Sequence, residues 1–448
     1  MNYGLLADEN KVGADLARWL AVGGGQALAL VTAAGGAAAL RLAVCQADLR
    51  GLGGSGFPVC RKWDAVAAEA PRPDKYLVVN GNEDEPGTFK DRLLLEVTPH
   101  QVIEGALAAA LAVGANRVIL YVNPDLGRCL TILEAAVRQW QESDLLKAPA
   151  ALLGRPLQLD LVHSSGHYIG GEETAALEWI EGWLSRGPED RAEKGVGRHR
   201  DDAADEGRAV VASSAQGFPF PRGKPPYPAQ FGVLGCPTLI NNVETVAQVV
   251  QITRHGAEAF RAQGRGDSAG TKLYSLSGDI LHPGVYELPM GTSLRELIFI
   301  HGGGLLSGKP LKAVFTGGPS NTLLTPSDLD VALDFDSLRE RGGSLGTGAM
   351  IVVSEGTGIV KRVAEYVRFF AHSSCGQCTS CKTGTSTLSR LLDRIDTGRG
   401  TAADLATLEN LYRMLPGSGR CHLVNGVTQL LDSSFRHFHH EFRQALRG

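Results

Sequence analysis

The order of apolar and polar positions predicts alternating strands and helices in the first half of the chain. Tyr76 to Asn80 and Arg117 to Val122 are short apolar runs, typical of buried strands. Between them, His100 to Ala115 has the length and apolar content of a helix. A strand, a helix and a strand at this spacing indicate a parallel sheet with crossover helices, so we expect an α/β fold.

The pattern changes near Thr271, after which the apolar runs are shorter. Lys272 to Leu276 and Val285 to Leu288 are predicted strands around a turn, and a helix is predicted from Ser293 to His301. From Glu355 onward the pattern is helical. The predicted organisation is a helical lead-in at 1–48, an α/β domain at 49–254, a small α+β module at 271–345 and a helical region at 355–448.

One segment fits none of these patterns. Residues 186–208 carry six basic and seven acidic residues and almost no large apolar side chain. Such a segment buries too little surface to offset the entropy lost on ordering. We therefore predict a mobile surface insertion at 186–218, with a functional arm as the alternative.

Composition limits the possible partners. The net charge is −4, with 43% hydrophobic and 21% charged residues, which argues against nucleic acid or an anionic membrane surface as the main partner. The uncharged stretch from Ala21 to Leu40 is too rich in Ala and Gly for a membrane span, and the N-terminus lacks the pattern of a signal peptide. We expect a cytoplasmic protein without a membrane span of its own.

Four of the eight cysteines have the spacing of a metal site. Cys375, Cys378 and Cys381 form C-x2-C-x2-C, and Cys421 follows much later. A close triplet with one distant ligand is typical of a [4Fe–4S] cluster, whereas structural zinc sites favour two separated pairs. Zinc, and His422 as the fourth ligand, stay open as alternatives. The other four cysteines are scattered singly and are interpreted as buried or incidental thiols: Cys45, Cys60, Cys129 and Cys236.

Four other segments have polar or glycine-rich patterns that packing does not explain. Gly51 to Gly56 contains four glycines, which let backbone N–H groups approach a phosphate. Asn80 to Gly87 (NGNEDEPG) follows directly after a predicted strand, where open α/β sheets bind ligands. Glu172 and Glu173 open a predicted helix that runs to about Leu184, although acids in a first helical turn also have a structural explanation. The fourth segment comprises Lys224 to Pro228 and Thr238 to Thr245.

Together these segments resemble the NADH-binding flavoprotein subunit of respiratory NADH:quinone oxidoreductase. The same module occurs in NAD-reducing hydrogenases, formate dehydrogenases and aldehyde oxidoreductases. The likeness covers about residues 48 to 440 and is closest in EPGTFKDR, YIGGEET, NNVET and SCGQC. It implies a Rossmann-like flavin and NAD domain, a ubiquitin-like β-grasp module at the α+β segment, and a C-terminal helical bundle with one [4Fe–4S] cluster bound by Cys375, Cys378, Cys381 and Cys421.

The resemblance also implies roles for individual residues. Hydride transfer belongs to the flavin, expected to be FMN with FAD as an alternative, so no general acid or base is assigned. The expected flavin contacts are Gly53, Gly54, Gly56, Lys62, Asn80, Asn82, Tyr168, Gly171, Asn241 and Asn242. The expected contacts to NAD(H) are Phe57, Glu85, Glu173, Lys224 and Tyr227, with Glu83 and Glu172 adding negative charge that tunes the flavin.

The chain departs from the usual pattern at four positions of the pocket. Leu52 stands in place of a second Arg, Asn82 in place of Asp, and Gly170 in place of Cys. Ala65 replaces an aromatic residue of some members. These changes predict a pocket of somewhat different shape, and for that reason FAD stays an alternative.

The implied function is exchange of a hydride with NAD(H) and of single electrons with partner subunits. A chain with a single cluster motif needs an iron–sulfur electron-transfer subunit and a catalytic subunit of a larger redox complex as partners. Two alternatives remain. One is a ferredoxin:NAD reductase subunit, which normally carries two ferredoxin-like cysteine sets, and the other is an electron-wiring subunit without nucleotide turnover.

Overall fold

The computed structural model describes residues 4–186, 227–306 and 308–446, which divide into two compact units. The first unit comprises the described residues of Met1–Asp84, Phe89–Tyr274 and Val285–Gly291. The second comprises those of Glu85–Thr88, Ser275–Gly284 and Thr292–Gly448. The proposed insertion beyond Arg186 and the candidate residue Lys224 lie outside the described residues.

The first unit is built on a sheet of four parallel strands. They are β1 (Tyr76–Gly81), β2 (Arg117–Val122), β3 (Gln158–His163) and β4 (Thr238–Asn242). Their order across the sheet is β3-β2-β1-β4, with every pairing parallel. The predicted α/β fold with a parallel sheet is therefore confirmed. β1 and β2 are apolar and buried along almost their whole length, as strands covered on both faces must be.

Eleven helices are described in the first unit. They are α1 (Leu16–Ala21), α2 (Gln26–Thr32), α3 (Gly36–Gln46), α4 (Val59–Ala68), α5 (Lys90–Val97), α6 (Pro99–Val113), α7 (Arg128–Glu142), α8 (Lys147–Leu153), α9 (Glu173–Leu184), α10 (Val243–His255) and α11 (Ala257–Arg261).

Helix α6 forms the centre of the first unit. All of its residues are buried, and its small alanine side chains let neighbouring helices approach closely. Gly105 is required there because a Cβ at this position would collide with the carbonyl oxygen of Val246 on α10. The carboxylate of Glu104, also on α6, accepts hydrogen bonds from Trp19 Nε1 at 2.8 Å and from the backbone N–H groups of Gly25 and Ala27. The helical lead-in is thereby fixed to the core of this unit.

The second sheet has five strands in the order β6-β5-β9-β7-β8. They are β5 (Thr271–Gly278), β6 (Gly284–Pro289), β7 (Leu311–Thr316), β8 (Leu323–Leu324) and β9 (Ala349–Ser354). β9 is parallel to β5 and antiparallel to β7. The predicted helix at 293–301 starts as α12 (Leu294–Glu296) and continues as a π-helical turn, Leu297–His301.

The second unit ends in four long helices that follow the short α13 (Phe335–Glu340). They are α14 (Ile359–His372), α15 (Thr379–Asp396), α16 (Ala402–Met414) and α17 (Leu423–Gln444). α14 packs against α15 and α17, and α16 packs against α15 and α17. Within the described ranges, none of the helices combines the length and apolar character needed to cross a membrane.

Candidate functional site

The sheet order of the first unit fixes where a ligand can bind. From β1 the chain continues on one side to β2 and β3, whereas β4 lies on the other side of β1. This reversal creates a crevice outside the carboxyl ends of β1 and β4, the position where open α/β sheets bind their ligands. Val79 pairs with Asn241 and Asn80 with Asn242, so the predicted asparagines of both strands lie together at this edge.

The glycine loop lies against the end of β4. A Cβ on Gly53 would come within 2.8 Å of Asn242 Cβ, so only glycine allows this approach. Gly54 and Gly56 have φ of 128° and 61°, which side chains disfavour. The N–H groups of Gly51 and Gly56 bond within the loop, to the carbonyls of Phe57 and Gly51. Among the described residues no partner accepts from the N–H of Gly53 or Gly54, which leaves both amides able to bind an anion.

Helix α4 connects the glycine loop to two other parts of the crevice. Lys62 Nζ lies 2.9 Å from Glu173 Oε1 and 3.1 Å from the carbonyl oxygen of Ile240 on β4. The next residue, Trp63, is fully buried and donates from Nε1 to Asn241 Oδ1 at 3.0 Å. Sequence reasoning did not single out Trp63, although its place beside Lys62 was a signal. These contacts hold α4, β4 and α9 together.

The turn after β3 completes the crevice. Tyr168–Gly171 forms a 3-10 turn directly before α9, and Asn80 Nδ2 donates to the carbonyl of Gly171 at 2.9 Å. Asn82 is buried, donates to the carbonyl of His167 at 3.0 Å and accepts from Ser164 Oγ. An Asp at position 82 could not donate to that carbonyl, so the amide suits this packing better than the carboxylate more usual among the resembling proteins.

Two acids lie at the start of α9, and one exposed ring lies beside them while another lies in the glycine loop. Glu172 caps the helix by accepting from the N–H groups of Thr174 and Ala175, and burial raises the pKa of its carboxyl. Burial, together with the negative charge of Glu173, raises the pKa of Tyr227, so this ring lies near the Lys62–Glu173 pair. Tyr227 is 40% exposed and Phe57 is 42% exposed. Rings this accessible offer faces for stacking on a nucleotide base.

Glu83 has a structural position. Its carboxylate accepts from the N–H groups of Asp91 and Arg92, at 2.6 and 3.0 Å, and from Arg92 Nε at 2.9 Å. Glu83 therefore fixes the start of α5, and both of its carboxylate oxygens accept hydrogen bonds there. Burial, followed by the charge of Asp91, raises the pKa of Glu83.

Beside Asn242 lies a fully buried ionic network that sequence reasoning missed. Lys90 Nζ contacts Asp91 Oδ1 at 2.7 Å, Glu244 Oε2 at 2.8 Å and Asn242 Oδ1 at 3.1 Å. Lys272 Nζ contacts the same Glu244 oxygen at 2.5 Å and the carbonyl of Leu52 at 3.2 Å. Because two lysines face two carboxylates, the charges cancel, and the network holds the glycine loop through Leu52. The EPGTFKDR and NNVET motifs contain three of these charges.

The pKa values of the two lysines are shifted in opposite directions. Burial alone would lower the pKa of Lys90, but Asp91 and Glu244 more than offset it and raise the pKa above its usual value. Burial lowers the pKa of Lys272 to about 8. Leu52 is itself buried, and its N–H donates to Thr245 Oγ1 at 2.9 Å. The Leu side chain therefore belongs to the core, and its backbone connects the loop to the network.

Glu85 belongs to the second unit. A side chain at Gly318 would collide with the Glu85 carboxylate, so the two residues are in close contact. Gly318 has a φ of 92°, which also favours glycine at this position.

The cysteine motif spans the loop between α14 and α15 and the first turn of α15. Cys375 and Cys378 are half-buried and Cys381 is buried, all three as free thiols. Burial raises the pKa of Cys381, and so does the charge of Cys375 and Cys378, although a hydrogen bond from Ser374 opposes them. These three thiols are therefore neighbours.

The segment before Cys421 lies against the same loop. Ser380 Oγ donates to the carbonyl of Ser418 at 2.9 Å, and Arg420 contacts Gln377 at 3.3 Å. In the part of the chain that the structure describes, no three His, Cys, Asp or Glu side chains converge as ligands of a single ion. Each thiolate of a [4Fe–4S] cluster binds a different iron, so the thiols that hold a cluster need not converge on a single ion.

The residues of the crevice fit a flavin mononucleotide. Two free backbone amides and the nearby cation of Lys62 match a phosphate, and the exposed rings match a nucleotide base. Asn80 and Asn241 add amides at this edge that can bind the polar edge of an isoalloxazine ring. The amide of Asn242 instead bonds to Lys90, Asp91 and the carbonyl of Asn80.

Comparison with known proteins supports a flavin site at the crevice and an iron–sulfur site at the cysteine loop. Residues 44–198 match the family described as the Nuo51 FMN-binding domain. Residues 361–445 match the NADH-ubiquinone oxidoreductase-F iron-sulfur binding region. The prediction of FMN and of a [4Fe–4S] region is thus confirmed at the level of the family, in preference to FAD and zinc.

Similar proteins cover nearly the whole chain. One of the NADH-quinone oxidoreductase F subunits of Rhizobium meliloti, the one numbered 2, is 38% identical over 93% of this chain and 94% of its own length. The corresponding F subunit of Rhodobacter capsulatus is 36% identical over 89% of this chain and 85% of its own. The crystal structure of an NAD+-reducing [NiFe]-hydrogenase in the H2-reduced state has a TM-score of 0.77 and 32% identity over 96% of this chain. This chain spans 66% of that hydrogenase chain.

Identity at this level over nearly full length is enough to assign the chain to a family. The glycine loop, β1 and the start of α9 lie in the segment that the first family description matches, whereas β4 lies outside it. The cysteine loop lies in the segment that the second description matches. This chain belongs to the family of NADH-quinone oxidoreductase F subunits, which bind FMN and an iron–sulfur centre and react with NADH.

Proposed function

We propose that this chain exchanges a hydride with NAD(H) at an FMN bound in the crevice, and that it passes single electrons through one [4Fe–4S] cluster. The observation that carries the proposal is the contact of Lys62 with both Glu173 and β4, at the switch point of the sheet. It brings a cation, a carboxylate and the helix after the glycine loop to the place where such sheets bind nucleotides.

The protein's part in the reaction is to bind and orient. When bound, FMN supplies the chemistry that converts between a hydride and single electrons. Gly53 and Gly54 would donate backbone N–H groups to the phosphate, and Lys62 would add positive charge beside it. Gly56, whose φ is 61°, would shape the loop around the phosphate. The groups that hold the flavin ring are Asn80, Asn82, Tyr168, Gly171, Asn241 and Asn242.

The nucleotide contacts are proposed on the outer side of the crevice. Phe57 and Tyr227 present exposed rings to the adenine, while Glu173 accepts hydrogen bonds from hydroxyl or carboxamide donors. Glu85 and Lys224 are proposed to complete this side. Glu83 and Glu172 act through the charge they place near the flavin and through the helix starts they stabilise.

The second centre and the partners complete the proposal. Cys375, Cys378, Cys381 and Cys421 are the proposed cluster ligands. The five-stranded sheet is proposed to correspond to a ubiquitin-like β-grasp module, and α14 to α17 to a terminal helical bundle. The partners are an iron–sulfur electron-transfer subunit and a catalytic subunit, and the chain is proposed to be cytoplasmic, reaching a membrane only through them.

Anaerobic addition of NADH to the purified holoprotein tests the proposal. We expect rapid loss of flavin absorbance, with a preference for NADH over NADPH of at least about tenfold, or roughly 1.4 kcal/mol. The reason is that Glu173 and its neighbouring carboxylates disfavour an added phosphate.

A matched pair of variants assigns the site. Lys62→Met removes the cation of the crevice and should weaken FMN binding, whereas Lys147→Met changes an exposed surface ion pair and should not. Failure of NADH to bleach a protein that holds both cofactors would contradict the proposed function.

A further inference from the structure

The two helices that flank the glycine loop lie antiparallel against each other. α3 ends just before the loop and α4 begins just after it. Arg41 on α3 forms an ion pair with Asp64 on α4, with 3.6 Å between Arg41 Nε and Asp64 Oδ1. Cys45 lies one helical turn closer to the glycine loop than Arg41, and Cys60 lies one turn closer to it than Asp64. Residues four apart share a helix face, so the register that pairs Arg41 with Asp64 also pairs Cys45 with Cys60.

The two thiols are close enough to affect each other. Burial raises the pKa of Cys45 to about 12, and hydrogen bonding with Cys60 contributes to the shift. Both side chains are free and half-buried, so a small reagent can reach them. These two cysteines are single and separate in the sequence, but the turn through the glycine loop brings them together.

We propose that Cys45 and Cys60 are a redox-active dithiol that closes to an intramolecular disulfide when a small-molecule disulfide serves as oxidant. The bridge would enclose residues 46–59 and therefore the whole glycine loop. A disulfide needs Cβ atoms about 4 Å apart, which two facing residues on packed helices reach with small movements.

The exchange takes place in two balanced steps. The Cys60 thiolate attacks one sulfur of the oxidant, whose S–S bond breaks and whose other half leaves as a thiol. The Cys45 sulfur then attacks Cys60, the protein S–S bond forms, and the second half of the oxidant leaves with the Cys45 proton. Two protein thiols are oxidised, and one small disulfide is reduced to two thiols. The first attack falls to Cys60 because Cys45 stays protonated at neutral pH.

Closure would stiffen the loop that is proposed to hold the FMN phosphate, a consequence that rests on the proposed function. Release of a bound group requires the loop to open, and a crosslink across its base removes many of the open conformations. We therefore expect the disulfide form to release FMN several-fold more slowly than the dithiol form.

Thiol mapping tests the dithiol directly. The holoprotein is incubated with excess oxidised glutathione without oxygen, alkylated and digested with trypsin without reduction. Cleavage after Arg41, Arg50 and Arg61 separates the two cysteines, so the bridge appears as peptide 42–50 joined to peptide 51–61. Cys60→Ser should abolish this species, and Cys236→Ser should retain it. The proposal is overturned if both cysteines are alkylated after the glutathione treatment, or if Cys60 carries only glutathione and no bridge to Cys45 forms.

FMN release, followed by flavin fluorescence after dilution, tests the consequence. Glutathione treatment should slow release in the wild type and in Cys236→Ser but not in Cys60→Ser. A disulfide that leaves the release rate unchanged would overturn the link to the loop. A chain that forms the bridge but binds no FMN would support the dithiol and count against the proposed function alone.

Discussion

The crevice and the cysteine loop differ in how far the protein alone organises them. In the crevice, the side chains of Lys62, Asn80 and Asn82 already have hydrogen-bond partners within the first unit. The cysteine loop brings together free thiols, which are held in place by bonds such as the one from Ser380 to Ser418. The fold alone positions the side chains of the crevice, whereas the cysteine loop needs its bound cluster to link the thiols.

This difference has a physical cause. A flavin is recognised by hydrogen bonds and stacking, which need rigid, pre-positioned groups. A cluster is held by metal–thiolate bonds, so metal binding itself contributes folding free energy to the surrounding loop. We therefore expect mutations in the two regions to have different effects. A cysteine change should remove the cofactor, whereas a change in the buried ionic network beside the crevice should destabilise the unit.

Removal of one proposed ligand should have the largest effect. Cys421→Ala should lose most of the cluster, or leave a labile three-iron form, because one iron loses its thiolate. Electron delivery to the partner should collapse, while NADH still reduces the flavin and an artificial acceptor is still served. Iron content and electron paramagnetic resonance measure the outcome. His422→Ala is the matched control: loss of the cluster there, with Cys421→Ala intact, would reassign the fourth ligand.

Lys90→Met tests whether the buried network maintains the crevice. Removing Lys90 leaves Asp91 and Glu244 with a single lysine, which should cost about 3–5 kcal/mol of unfolding free energy. Urea unfolding followed by flavin fluorescence measures this change. Lys272→Met should cost less, since burial already disfavours that charge and lowers the pKa of Lys272. Equal losses in both variants would show that the network does not distinguish its two lysines.

The first unit should also lose stability in mild acid through His100. Burial lowers the pKa of His100 to about 4, and its Nδ1 accepts from Trp140 Nε1 at 3.0 Å. From about pH 6.5 down to 4 the unfolded chain binds a proton that the folded chain does not, so the unfolding free energy falls with pH. The full loss is about 3 kcal/mol, from roughly 1.4 kcal/mol per pKa unit.

Urea unfolding at several pH values checks the contribution of His100. His100→Asn carries no titrating group at this position, so its stability should depend less on pH between 4 and 6.5. Parallel curves for the variant and the wild type would contradict the assignment to His100.

Glu173→Gln should have the smallest effect on stability. The Lys62–Glu173 pair is partly exposed, with 43% of the Glu173 side chain accessible, so its loss should cost at most about 1 kcal/mol. If Glu173 binds nucleotide, KM for NADH should rise and discrimination against NADPH should weaken. Steady-state kinetics with both nucleotides and an artificial acceptor measure this. Unchanged KM and selectivity would leave Glu173 as a helix-start residue only.

The class of the fold and the chemistry of both centres follow from the sequence without any knowledge of the tertiary structure. Alternating apolar runs are enough for the parallel sheet, since a strand covered on both faces must be apolar. The spacing of Cys375, Cys378 and Cys381 is a local property of the chain, and the glycine loop is local as well. Motifs of this kind are visible in the sequence because their residues are neighbours in the chain.

Which distant residues meet depends on the folded chain. The network of Lys90, Glu244 and Lys272 joins three elements, and no local pattern indicates that a lysine on β5 pairs with the acid that begins α10. The pairing of Cys45 with Cys60 depends on the path of the loop and on the antiparallel register of two helices. Burial and partner choice arise from contacts between segments far apart in the chain, so no stretch of sequence contains them.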